Sequence, residues 1–76
     1  MNNFEFIKKL DSEDLFMDLI KRGIIPLTIS EKKIVYEYYI GHASGDSIDQ
    51  KALFGTMDRF GISESTVRRT IKFMRE

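Results

Sequence analysis

Phe60-Gly61-Ile62-Ser63-Glu64-Ser65-Thr66-Val67-Arg68-Arg69-Thr70-Ile71 holds a helix end, a turn and a helix start in one short run. Gly61 follows an apolar residue and tolerates the positive φ with which helices commonly close. Ser63 is a residue type whose hydroxyl accepts from the first unpaired N–H groups of a new helix. Ile62 and Val67 flank that cap at the spacing of a hydrophobic staple. Beyond it, Val67, Thr70, Ile71 and Met74 recur at helical spacing as buried positions, with Phe73 at the margin, while Arg68, Arg69, Lys72 and Arg75 supply a cationic side. The last helix therefore runs from about 63 to 75.

Working toward the N-terminus, Leu53, Phe54, Met57 and Phe60 give the preceding helix an apolar face, and Gly55 either weakens it or admits a close neighbour. Its start is open between Ser47, which with Gln50 forms a capping box, and Asp49, which has Ile48 and Leu53 as a staple. Residues 41–46 read as a loop that contains His42. Before it, Ser30 caps a helix with Ile29 and Ile34 as its staple and Ile34, Val35, Tyr38 and Tyr39 facing inward. Pro26 makes Ile24–Ile29 a buried extended connector. Gly23 ends an earlier helix that starts near Asp11, with Asp11 and Ser12 as cap residues and Leu15, Phe16, Leu19 and Ile20 as its stripe. Phe4, Ile7 and Leu10 predict a short helical turn before that. No β-hairpin is left over. The expectation is an all-α small helical bundle of four to five helices in a single domain, 1–76, with an N-terminal helical segment (1–26) and a C-terminal trihelical unit (27–76).

Seventy-six residues allow one modest core. The chain has no cysteine, so there is neither a disulfide framework nor a thiolate metal site. No apolar run approaches the roughly 20 residues of a membrane span, and the polar, acidic start does not read as a secretory signal. A soluble, cytoplasmic protein is expected. Net charge is zero, but residues 59–76 hold five basic and two acidic side chains, against seven basic and ten acidic in residues 1–58. One end of the molecule carries an electrostatic footprint, small enough that one copy should hold a polyanion weakly at physiological salt.

The segment from about Leu53 to Lys72 resembles the helix-turn-helix of small bacterial and phage transcription regulators. The matching features are Phe60, Gly61, Ile62, Ser63, Thr66-Val67, Arg68-Arg69 and Ile71; Met57 departs from the pattern, since the family usually has a small residue there. The resemblance implies sequence-specific binding of double-stranded DNA with the last helix in the major groove. It places Ser63, Glu64 and Ser65 where base edges and phosphates are reached. Arg68 and Arg69 are suited to guanine O6 and N7, Glu64 to a cytosine amino group, and Thr66 to a thymine methyl or a phosphate. Lys72, Arg75 and Arg59 would pair with phosphates. So small a footprint suggests a homodimer through Phe4, Phe6, Ile7, Leu15 and Phe16, with reading helices about 34 Å apart; the same residues could instead complete a monomer core.

Other chemistry finds little support in the sequence. His42 is the single histidine and has no second ligand at metal-binding spacing. Gly41 and Gly45 lack the Lys-Ser/Thr of a phosphate loop. Glu13, Asp14 and Asp18 read as a solvated helix face, and two of Tyr36, Tyr38 and Tyr39 are best spent in the core. No nucleophile, base and orienting group can be assembled, so no enzyme, cofactor or metal is expected. The alternative reading is a protein–protein interaction module on the same trihelical scaffold, favoured by the acidic N-terminal part.

Overall fold

Asn2 sets the start of the first helix. Its side chain accepts from the Glu5 N–H at 2.8 Å, and the Glu5 carboxylate accepts from the Asn2 N–H at 3.3 Å, a reciprocal cap. A computed structural model describes residues 1–45 and 47–76. They form five helices: α1 (Asn3–Ser12), α2 (Leu15–Lys21), α3 (Leu27–His42), α4 (Gln50–Phe60) and α5 (Glu64–Arg75). The described residues are all-helical and contain no strand, a small helical bundle. None of the helices is long and apolar enough to cross a membrane.

The N-terminal boundaries differ from the expected ones. With its start capped, α1 continues through Asp11 and Ser12, so these close a helix rather than cap the next. The chain turns at Asp14, whose φ of 60° makes it the one non-glycine residue at positive φ among those described. Asp tolerates this region better than most side chains. Asp14 precedes α2 without a side-chain cap. Gly23, at φ 77°, ends that segment as expected. Helix α3 then starts three residues before Ser30, directly after Pro26. Proline fixes φ and has no N–H to leave unpaired at a helix start, so it begins the helix here and Ser30 falls inside it.

The inward stripe of α3 is also rotated from expectation. Ile29, Tyr36, Tyr39 and Ala43 join the core, and Ile34 is 54% exposed. Val35 and Tyr38 are half-buried. His42 lies in the last helical turn rather than in the loop, with its Nδ1 2.9 Å from the Tyr38 carbonyl oxygen. Asp46, the last residue of the expected loop, lies outside the described residues. Asp49 caps α4, not Ser47: its carboxylate accepts from the Ala52 N–H at 3.1 Å and from Ser44, while its own N–H donates to the Tyr39 hydroxyl at 3.0 Å. The N–H groups of Ala52 and Ser44 hold the Asp49 carboxyl below its usual pKa.

Helix α4 buries Ala52, Leu53 and Thr56. Phe54 faces outward and is 54% exposed, contrary to its expected inward place; Met57 and Phe60 are partly buried. Thr56 can lie inside because its hydroxyl donates to the Ala52 carbonyl at 2.7 Å. Gly55 is exposed, and a Cβ there would meet nothing within 4 Å, so it does not admit a close neighbour.

Helices α3, α4 and α5 pack against one another, and α1 packs on α2 and α5. The N-terminal segment is part of this core. Ile7 and Phe16 are buried, and the Phe4 ring meets Tyr36 edge-on at 4.8 Å. Of the five residues considered for a dimer surface, only Phe6 and Leu15 remain exposed. Lys33 ties α1 to α3 through Asp11 at 3.6 Å and also binds Glu37 at 3.0 Å.

Candidate nucleic-acid interface

The turn into α5 forms as the sequence predicts. Gly61 takes φ 64° and ψ 38°, and the Ile62 N–H donates to the Met57 carbonyl at 3.2 Å, which closes α4. Ser63 then adopts extended backbone, and its Oγ accepts from the Thr66 N–H at 3.3 Å. The same Oγ lies 3.1 Å from the Ser65 hydroxyl and 2.9 Å from that of Thr66. Three hydroxyls thus cluster at the exposed N-terminus of α5, where the helix dipole favours negative charge.

Val67, Thr70, Ile71 and Met74 face the core, all four as expected. This fixes the roll of the helix and turns Ser65, Arg68, Arg69 and Lys72 outward, where all are exposed. Arg68 is held by its own helix: its Nε donates to Glu64 Oε2 at 2.9 Å, a pair one turn apart. Bonding through Nε leaves the two terminal nitrogens on the outer edge of the guanidinium. Arg69, the next residue, lines a cleft with Thr28, Glu31, Lys32, Thr66 and Thr70 on the side of α3. The adjacent arginines therefore do not act on one spot.

The remaining cations divide. Arg59 is exposed near the end of α4, its guanidinium 5.6 Å from the Phe60 ring centroid. Arg75 is half-buried, and its Nε donates to the Tyr36 hydroxyl at 3.2 Å. It braces α5 against α3 instead of extending the outward cationic row. Glu64, on α5 itself, supplies the carboxylate bound to Arg68.

Two features escaped the sequence reading. Asn3 donates from Nδ2 to the Phe73 carbonyl at 2.7 Å, fastening the last turn of α5 to the first of α1. Lys32 sits over the Phe73 ring at 5.0 Å and lines the cleft with Arg69. The first contact spans 70 positions and leaves no local pattern. Lys32 could have been found once Ile29, Tyr36 and Tyr39 were recognised as the inner stripe of α3. A second hollow, of about 430 Å³, lies between Tyr38, His42, Lys51, Ala52 and Gly55. No group of three or more His, Cys, Asp or Glu side chains positioned to hold a metal occurs among the described residues. Comparison with protein-family models, curated proteins and solved structures finds no match.

Proposed function

We propose that the protein is a sequence-specific DNA-binding protein that regulates transcription, with α5 entering the major groove. The observation that carries this reading is the outward row of Ser65, Arg68, Arg69 and Lys72 on a helix whose other side is locked into the core. Arg68, oriented by Glu64, would present its terminal nitrogens to guanine O6 and N7. The hydroxyls of Ser63, Ser65 and Thr66 would meet a phosphate or a base edge at the helix start. Lys72 would pair with the strand and position the helix, and Arg59 would add a phosphate contact from α4. Arg75 would act indirectly, by keeping α5 seated against Tyr36. A homodimer would have to use exposed Phe6 and Leu15, together with Met17, because Ile7 and Phe16 are already inside.

The test is enrichment from a pool of random duplexes at two salt concentrations, with wild type beside an Arg68→Ala/Arg69→Ala variant. Selective, salt-sensitive enrichment that disappears in the variant supports the reading. A folded wild type that binds no duplex at low salt overturns it. A protein-interaction module is the second reading, favoured by exposed Ile24, Leu27 and Ile34, at 65%, 63% and 54%.

A further inference from the structure

The cleft between the start of α3 and the flank of α5 has about 240 Å³ of space and is open to solvent. Its walls carry two cations, Lys32 and Arg69, three hydroxyls, Thr28, Thr66 and Thr70, and one carboxylate, Glu31. Neither Lys32 nor Arg69 has an ion pair among the described residues. The adjacent Lys33 is committed to Asp11 and Glu37. Lys32 is meanwhile steadied by the Phe73 ring 5.0 Å away, which holds the ammonium beside α5. The Thr70 hydroxyl donates to the Thr66 carbonyl at 2.9 Å and the Thr66 hydroxyl lies 2.9 Å from that of Ser63, leaving the mouth of the cleft to Thr28 and the two cations.

We infer that this cleft clamps a backbone phosphodiester of the DNA strand beside α5, with Lys32 and Arg69 as the paired cations and Thr28 as a hydroxyl donor. The inference rests on the DNA-binding reading and deepens it: Arg69 takes a phosphate rather than a base, and α3 becomes part of the interface. One phosphate brings one negative charge between two positive side chains, whereas Glu31 at the same wall opposes it. Removing Lys32 should then weaken binding evenly for all sequences, and removing Glu31 should strengthen it.

The experiment is anisotropy titration of a labelled duplex over a range of salt, with wild type, Lys32→Ala, Glu31→Gln and Lys51→Ala. Lys51 lines the hollow at the other end of α3, so its variant controls for loss of a positive charge alone. Lys32→Ala should lower affinity several-fold and reduce the steepness of log K against log salt by about 0.9, one released counterion. Glu31→Gln should raise affinity, and Lys51→Ala should leave it unchanged. Wild-type binding with equal affinity and slope in Lys32→Ala overturns the clamp while leaving the DNA reading intact. Absence of wild-type binding overturns both. Adding millimolar inorganic phosphate at constant ionic strength separates the two sources of the anion. Duplex binding that is unchanged by phosphate yet still weakened in Lys32→Ala supports the strand. Phosphate that raises the melting temperature of wild type but not of Lys32→Ala, with duplex binding indifferent to Lys32→Ala, assigns the cleft to free phosphate and overturns the proposal.

Discussion

Glu64 and Arg68 show how one residue can set what another does. An exposed pair one turn apart contributes only about 0.3–0.5 kcal/mol to a helix, so stability is not its main consequence here. The bond at 2.9 Å to Nε restricts the guanidinium to orientations in which its outer edge faces away from the helix. Replacing Glu64 by Ala releases Arg68 and removes a negative charge from the proposed interface. Affinity for random duplex should therefore rise, while preference for a selected site over a scrambled one falls. Titrating both duplexes checks this; an unchanged preference would reduce the pair to an ordinary surface contact. At this scale the sequence was highly legible around α5. Gly61, Ser63 and the four buried residues of the last helix obey rules confined to a few neighbouring positions.

Elements were legible where a local cap fixed them and less so where several signals competed. Helix α3 illustrates the difficulty. Ser30 with Ile29 and Ile34 resembles a cap and staple, but Pro26 starts the helix earlier, and packing against α4 and α5 selects the Tyr36–Tyr39 side. Adjacent apolar residues such as Val35 and Tyr36 leave the roll of a helix undetermined until its neighbours are known. The same limit turned Phe54 outward and hid Ala52 and Thr56. Helix α4 supplies two checks. Gly55 sits in helical backbone with open space where a Cβ would go, so Gly55→Ala should stabilise by about 0.5–1 kcal/mol, read from chemical denaturation. Asp49 gives a pH signature. Its folded pKa is lowered, so its stabilising effect is present above the ordinary carboxylate value and is lost as pH falls through the folded one. Thermal melts of wild type and Asp49→Ala should differ at neutral pH and converge below about pH 3.8.

Over the whole molecule, the distinction that matters is between attached and integral parts. Residues 1–26 could have been an appendage reserved for a second copy, but Ile7 is 5% exposed and Phe16 is 3% exposed within the common core. Ile7→Ala should cost about 2–4 kcal/mol, as other large-to-small core changes do. Equilibrium unfolding measures it, and a loss below about 0.5 kcal/mol would show that α1 is peripheral. The sequence could propose either use of these residues because apolarity alone does not say which surface an apolar residue meets. The candidate interface was partly hidden for the same reason. Its α5 side lies within one continuous segment, whereas Lys32 reaches Phe73 from a helix far earlier in the chain.

The bond from Asn3 to the Phe73 carbonyl also places a constraint on synthesis. At roughly 5–20 residues per second, the 70 positions between them take about 4–14 s to add. Throughout that interval the nascent α1 lacks α5, one of the helices on which it finally packs. The packing of α1 on α5 can form only after α5 has left the ribosome, so until then the apolar side of α1 goes without that partner.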